Sequence, residues 1–148
     1  LADPKGSVLA EYIKTGELTE SGSWLVEGIG EDFIPDICDL SMVKQAYTID
    51  DAESFEIARA VLRTEGLLVG SSSGTLIAAA LRYCREQTEP KRVVTFACDT
   101  GNKYLSKLFN DFWLEDQGFI TRESLGDLRD LVGRPHGDLR REHLPRVQ

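Results

Sequence analysis

Short apolar segments alternate with helical patterns along the middle of the chain, and this alternation constrains the fold more than any other feature. Strands are predicted over residues 45–49, 67–69 and 93–97. Each is followed by a predicted helix, over residues 51–64, 74–87 and 102–112 respectively. Successive parallel strands are joined through right-handed crossovers, because only that hand packs the helix back onto the sheet. The sequence therefore predicts an α/β fold, a parallel sheet with helices on both faces.

The helix predicted over residues 51–64 has clear start and stop signals. Asp50 is a favoured N-cap residue, and Glu53 follows three positions later, as in a capping box. Gly66 stands where a left-handed C-cap is expected. The next segment, Leu-Leu-Val at residues 67–69, has no polar position, which is typical of a parallel strand buried on both faces.

The two ends of the chain are less regular than its middle. A helical pattern over residues 7–14 ends before Gly16, and residues 24–27 predict a short extended segment. After Phe119 the chain becomes rich in Arg, Asp, Glu and Gly. We interpret residues 1–119 as one catalytic-domain portion and residues 120–148 as a linker toward a further, regulatory module; a solvated tail is the alternative.

Composition argues against several classes of function. The 148 residues carry 17 basic and 25 acidic side chains, a net charge of −8, so the averaged field repels nucleic acids and anionic membranes. No apolar run approaches the roughly 20 residues of a spanning helix, and no signal-peptide pattern is present. Three widely spaced cysteines suit neither a disulfide framework nor a CxxC metal site. We expect a cytoplasmic protein and, because the chain opens without Met, a piece of a longer one.

The segment GSSSGT at residues 70–75 is the strongest candidate site, because it joins a predicted strand to a helix. Ligands of open α/β sheets bind at such strand ends, where helix N–H groups attract anions and lone pairs. The segment lacks the lysine of a nucleotide-binding P-loop and the G-x-G-x-x-G spacing of a dinucleotide site. Helix capping by Ser71 to Ser73 is the alternative, and a nucleophilic serine is not favoured, because both histidines of the sequence, His136 and His143, lie in the polar tail.

Three segments together resemble one known family. The sequences EGIGEDFIP at 27–35, EGLLVGSSSGT at 65–75 and ACDTGNKYLSKLFND at 97–111 are similar, in that order, to the C-terminal half of fold type II (tryptophan synthase β-like) pyridoxal-phosphate enzymes. The match is best to the cystathionine β-synthase and cysteine synthase family. DPKGSVLAEY at 3–12 favours the cystathionine β-synthase branch. The resemblance covers about residues 1–119.

The resemblance implies a set of cofactor-binding residues. Ser72 matches the serine that hydrogen-bonds the pyridine nitrogen of pyridoxal phosphate, and we interpret Ser73 and Thr75 as cap or supporting residues. Asp99 and Thr100 match a pair near the pyridine end of the cofactor, although Asp99 could instead only cap the following helix. A neutral serine beside the ring nitrogen leaves that nitrogen largely unprotonated, which suits β-elimination followed by thiol addition.

A second group of residues matches the family's substrate loop. Gly28, Ile29 and Gly30 correspond to the loop that closes over the substrate side of the cofactor. Glycine at these positions lets the backbone approach a ligand and change its dihedral angles on closure. An ordinary tight turn is the alternative interpretation of this segment.

Two of the family's elements have no counterpart in this sequence. Neither the Ser-x-Lys context of the Schiff-base lysine nor the Gly-Thr-Gly-Gly-Thr-like phosphate loop occurs, so no residue here is predicted to be catalytic. We therefore expect the chain alone to be inactive and to need the remainder of its own catalytic domain, in an enzyme that is usually a homodimer.

The resemblance also implies the reaction of the complete enzyme. It would condense serine with homocysteine to cystathionine, so its partners are amino-acid substrates; a cysteine synthase using O-acetylserine and sulfide is the alternative. A non-catalytic interaction or regulatory module that keeps the fold, and a nucleotide-binding module, are alternatives from other classes.

Overall fold

The computed structural model describes residues 1–121. In chain order its elements are β1 (Ala2–Pro4), α1 (Leu9–Thr15), β2 (Tyr47–Ile49), α2 (Asp51–Glu65), α3 (Ser71–Arg85), a 3-10 helix (Gly101–Tyr104) and α4 (Asp111–Asp116). The chain divides into two compact units, residues 1–110 and a second unit that begins at residue 111. Beyond residue 121 the predicted linker lies outside the described residues. None of the described helices has the length and apolar character needed to cross a membrane.

β1 and β2 form a two-stranded parallel sheet. Asp3 pairs with Thr48, and the backbone extends the pairing through Lys5, whose N–H donates to the Ile49 carbonyl at 2.8 Å. Ile49 is fully buried and packs in one cluster with Ala78 and Ala79 of α3. The strand predicted over residues 45–49 is therefore confirmed at its C-terminal end, and the parallel arrangement agrees with the predicted α/β class.

α1 receives its N-terminal cap from the sheet. Its N-cap residue, Val8, has no side-chain acceptor, and the Asp3 carboxylate of β1 accepts the Ala10 N–H at 2.7 Å instead. Asp3 is only 1% exposed. At the other end Gly16 adopts the left-handed conformation, and its N–H donates to the Tyr12 carbonyl, so the predicted stop is confirmed.

α2 begins and ends at the predicted signals. The Asp50 carboxylate accepts the Glu53 N–H at 2.8 Å, and Gly66 forms the left-handed C-cap with φ of 70°. The reciprocal half of the capping box is not formed, because the Glu53 carboxylate pairs with Arg82 of α3. The side chain at the third helical position therefore joins α2 to α3.

α2 and α3 approach each other closely at Gly74. A Cβ at Gly74 would lie 2.0 Å from the Ser54 carbonyl oxygen, so only glycine allows this separation of the two helices. Beside it the hydroxyls of Ser54 and Thr75 are hydrogen-bonded at 2.8 Å, and both side chains are fully buried. Phe55 and Ala58 of α2 are buried too.

The strands predicted over residues 67–69 and 93–97 are wrong for the described residues. Val69 forms one isolated antiparallel bridge with Thr100, and Leu67 is 57% exposed. Val94 and Phe96 are 80% and 71% exposed. A strand exists only when a neighbour takes up its backbone donors and acceptors, and residues 1–121 place no strand beside either segment. Their apolar composition indicates buried strands but cannot supply the missing neighbours.

Two helix boundaries also differ from prediction. α3 begins at Ser71 rather than at residue 74, so the serines lie in its first turn. The helix predicted over residues 102–112 is wrong. After the 3-10 helix, the Lys107 and Phe109 N–H groups both donate to the Tyr104 carbonyl, so the regular i to i−4 ladder does not continue.

Candidate functional site

The candidate site lies where the N-terminal turn of α3 meets residues 97–101. The Gly70 N–H donates to the Asp99 carbonyl at 3.1 Å, and the Gly101 N–H donates to the Leu68 carbonyl at 3.0 Å. A Cβ at Gly70 would collide with the Asp99 carboxylate, so the two segments can approach this closely only with glycine there. Two of the three segments singled out in the sequence are thus in direct contact.

The three consecutive serines point in three different directions. Successive helical residues project about 100° apart, so each hydroxyl faces its own direction. Ser71 Oγ accepts the Glu27 N–H at 3.2 Å, and Ser73 Oγ accepts the Cys98 N–H at 3.0 Å. The capping interpretation is wrong, because Gly70 is the N-cap and no side chain caps α3. Ser71 and Ser73 instead fasten two other segments to this turn.

Ser72 is the serine without a partner. It is 5% exposed, and within residues 1–121 its hydroxyl forms no hydrogen bond. A serine hydroxyl can donate and accept hydrogen bonds, so the Ser72 hydroxyl is available to a group from outside these residues. The first N–H groups of α3 also lack intrahelical acceptors at this point. The turn therefore offers a hydroxyl and helix N–H groups to a ligand.

The third segment, the loop at residues 28–30, is joined to this turn through Glu27. Gly28 and Gly30 have φ angles of 78° and 89°, the left-handed region that favours glycine. A Cβ at Gly30 would collide with Pro4 and Trp24, whereas one at Gly28 would meet nothing within 4 Å. The Trp24 indole N–H donates to the Ile29 carbonyl at 3.0 Å. Both glycines therefore have a conformation that suits a substrate loop and an ordinary tight turn alike.

Asp99 and Thr100 have different local roles. Asp99 Oδ2 accepts the Tyr104 hydroxyl at 2.8 Å and lies 3.6 Å from the Lys103 ammonium, while Asp99 Oδ1 is buried without a hydrogen-bond partner within residues 1–121. Thr100 is the N-cap of the 3-10 helix, where its hydroxyl accepts the Asn102 N–H at 3.4 Å. The suggestion that Asp99 caps this helix is therefore wrong.

Tyr104 connects these groups electrostatically. Burial raises the pKa of its hydroxyl above the ordinary value of 10.0, and the hydrogen bond to Asp99 raises it further. The negative charges of Asp99 and Glu27 act in the same direction, whereas a hydrogen bond with Ser71 opposes them. Tyr104 is therefore a neutral hydrogen-bond donor at neutral pH. Its ring is 6% exposed and closes one side of the turn.

Several residues of the site were missed by the sequence reasoning. These are Glu27, Ser71, Ser73 as a cross-link, Tyr104, and Lys107, whose ammonium pairs with the Glu27 carboxylate. The triple serine was a usable signal, because three adjacent hydroxyls at one helix start exceed what a single cap requires. Within the described part of the chain, no group of three or more His, Cys, Asp and Glu side chains could hold a metal ion.

Comparison with known proteins identifies related sequences and structures. Residues 2–99 match a family described as pyridoxal-phosphate dependent enzyme. Cystathionine beta-synthase of Mus musculus is 40% identical over 121 residues, which cover 82% of this chain and 21% of the mouse protein. Cysteine synthase 1 of Neurospora crassa is 36% identical over 124 residues, covering 81% of this chain and 33% of that protein.

A solved structure extends the comparison to the fold. The O-acetylserine dependent cystathionine beta-synthase from Helicobacter pylori matches with a TM-score of 0.62 and 37% sequence identity, over 71% of this chain and 32% of that one. The fold type II architecture implied by the resemblance is confirmed by this match. The chain spans 21% of the length of the mouse enzyme it matches. With its family match over residues 2–99, the chain belongs to the pyridoxal-phosphate dependent enzymes.

Proposed function

We propose that this chain forms one wall of the pyridoxal-phosphate site of a β-replacement enzyme, with Ser72 as the partner of the ring nitrogen. The observation that carries the proposal is the Ser72 hydroxyl, which belongs to a residue only 5% exposed at the N-terminal turn of α3 and has no hydrogen-bond partner within residues 1–121. A pyridine nitrogen needs one hydrogen-bonding group in an otherwise closed surface. The residues present therefore fit the ring end of the cofactor.

The choice of serine favours one kind of chemistry. Pyridoxal phosphate, when bound, supplies an electron sink for charge that develops at the substrate α-carbon. A carboxylate beside the ring nitrogen would hold a proton there, whereas the uncharged Ser72 hydroxyl does not. Asp99 is the acidic residue predicted at this site, and its Oδ2 accepts the Tyr104 hydroxyl and lies near Lys103. This arrangement supports limited carbanion build-up and loss of a β-substituent.

The remaining predicted residues have supporting roles in the proposal. Asp99 and Thr100 border the cofactor ring, and their backbone contacts with residues 69–70 fix the turn that carries Ser72. Gly28, Ile29 and Gly30 form the loop over the substrate. Glycine suits that role because both φ angles are positive and because Gly28 has open space around it.

For the complete enzyme we propose condensation of serine with homocysteine to cystathionine. The relatives named cystathionine beta-synthase support this reaction, and those named cysteine synthase support O-acetylserine with sulfide as the second candidate. The Helicobacter pylori enzyme adds a mixed case, an O-acetylserine dependent cystathionine beta-synthase. We further propose a cytoplasmic homodimer, in which residues 1–119 belong to the catalytic domain and residues 120–148 lead to a regulatory module.

The test uses the full-length protein that carries this sequence. After borohydride reduction with pyridoxal phosphate, mass spectrometry should map a single adduct to a lysine outside these 148 residues. Serine or O-acetylserine, each combined with homocysteine or sulfide, should then identify the substrate pair from the product mass. An adduct at a lysine of this chain would contradict the proposed division of the site. Absence of cofactor binding would favour a non-catalytic module, and nucleotide affinity instead would favour the nucleotide-binding alternative.

Two variants test the role of Ser72. We expect Ser72→Ala to weaken pyridoxal-phosphate binding by roughly tenfold, the equivalent of one hydrogen bond of about 1.4 kcal/mol. Thr75→Ser is the matched control, because it keeps a hydroxyl on the same helix and leaves Ser72 untouched. Equal cofactor affinity of wild type and Ser72→Ala would refute the assignment.

A further inference from the structure

The loop over residues 27–31 is fastened at its two ends in different ways. At the far end the Glu31 N–H donates to the Ser7 hydroxyl at 3.0 Å, and the Val8 N–H donates to the Glu31 carbonyl at 3.0 Å. At the near end the Glu27 N–H donates to the Ser71 hydroxyl. Between these points lie the two glycines with positive φ, the residues best able to change conformation.

Glu27 makes a second contact, in addition to its hydrogen bond with Ser71, that has no counterpart at the far end of the loop within residues 1–121. Its carboxylate forms an ion pair with the ammonium of Lys107, a residue 80 positions further along the chain. The two side chains are 49% and 48% exposed, so the pair is in contact with water and with dissolved salt. An ion pair of this kind is weak and screened, and it can therefore open and close during a catalytic cycle.

The two residues directly before Glu27 are held by hydrogen bonds to one side chain. The Asp51 carboxylate accepts the Leu25 and Val26 N–H groups at 2.9 and 3.0 Å, directly before Glu27. Glu27 is therefore the boundary between a segment held by hydrogen bonds to the Asp51 carboxylate and the glycine loop. An ion pair at this boundary sets where the loop begins relative to Ser71, and hence relative to Ser72.

We infer that Glu27 and Lys107 are positioning residues, whose ion pair holds the near end of the Gly28–Gly30 loop against the turn that carries Ser72. The catalytic consequence rests on the function proposed above, in which this loop covers the substrate. When the ion pair is closed, the near end is held at both the amide and the carboxylate of Glu27. When the pair opens, the hydrogen bond to Ser71 is left as the contact of Glu27 and the loop can shift, while the far end stays attached to Ser7. The pair then affects substrate binding more than cofactor binding.

The structural test is amide hydrogen exchange of the full-length protein, resolved to single residues, and it needs neither cofactor nor activity. In Lys107→Gln the Glu27 amide should exchange about two- to fivefold faster than in wild type, as expected for loss of an exposed ion pair. The Glu31 amide is the internal control and should not change, because Ser7 still binds it. Lys107→Arg should restore slow exchange. Lys14→Gln, which removes an exposed lysine that has no ion pair within residues 1–121, is the matched charge control.

Ionic strength and kinetics complete the test. Raising the salt concentration should accelerate Glu27 exchange in wild type and leave Lys107→Gln unchanged. In the active enzyme Lys107→Gln should raise KM about two- to fivefold, with a smaller effect on kcat and unchanged cofactor absorbance. Unchanged Glu27 exchange in Lys107→Gln would overturn the inference. Loss of cofactor binding in the wild-type protein would refute the proposed function instead, and the exchange data would still decide the role of the ion pair.

Discussion

Replacing Gly74 by alanine tests the account of how α2 and α3 pack. The added Cβ would lie 2.0 Å from the Ser54 carbonyl oxygen, whereas ordinary van der Waals contact begins at 3.4 Å. The helices must therefore separate by about 1.4 Å, the difference between these two distances. Because the obstacle is backbone rather than a flexible side chain, no rotamer change can relieve it.

The expected change in unfolding free energy has three parts. Alanine gains about 1 kcal/mol over glycine in helix propensity, while overpacking of this kind costs about 1–3 kcal/mol. Separation of the helices also breaks the buried hydrogen bond between Ser54 and Thr75, which contributes about 1 kcal/mol. We expect Gly74→Ala to lose about 2–3 kcal/mol, since the backbone obstacle places the overpacking cost at the upper end of its range.

Urea unfolding followed by circular dichroism measures this change directly. Gly66→Ala is the control, because that glycine has a φ of 70° but nothing within 4 Å of a new Cβ. It should lose only about 1–2 kcal/mol, the cost of the left-handed conformation. If Gly74→Ala were as stable as the wild type, the close approach of α2 and α3 at this point would be wrong.

Two further predictions concern local stability. Asp50→Ala removes the side-chain acceptor at the start of α2 and should cost about 1 kcal/mol in urea unfolding, whereas Asp39→Ala, whose carboxylate accepts the Ser41 N–H in an exposed turn, should change little; equal losses would contradict the capping role. Burial, a hydrogen bond to Glu86 and the charge of that residue raise the pKa of Tyr47 from 10.0 to about 12. A raised pKa in the folded state means that this contribution to stability is complete below about pH 10 and is lost as the pH rises through 12. The difference in urea midpoint between wild type and Tyr47→Phe should therefore shrink from pH 8 to pH 11.5, and a constant difference would refute the pairing.

Features governed by neighbouring residues could be predicted from the sequence. The N-cap at Asp50 and the left-handed C-caps at Gly16 and Gly66 depend on chemistry within one helical turn, and all three are confirmed. The local order of an apolar run, a glycine and hydroxyl residues also placed Ser72 next to the start of a helix, although α3 begins at Ser71 rather than at residue 74.

Features that depend on distant partners could not be predicted in this way. The β-branched and aromatic composition of residues 93–97 favours a strand, but whether a strand forms depends on the segments that lie beside it in the fold. The hydrogen bond between Glu27 and Ser71 joins residues 44 positions apart, and the ion pair between Glu27 and Lys107 joins residues 80 apart. Nothing in the local sequence distinguishes these side chains from ordinary surface residues.

The distance between Ser72 Oγ and the pyridine nitrogen, in a crystal structure of the full-length protein with pyridoxal phosphate, tests the central proposal most directly. The account predicts a hydrogen bond of about 2.7–3.2 Å, with the Asp99 carboxylate still bound to Tyr104. A ring nitrogen that contacts a carboxylate, or that lies beyond hydrogen-bonding distance of Ser72, would contradict it.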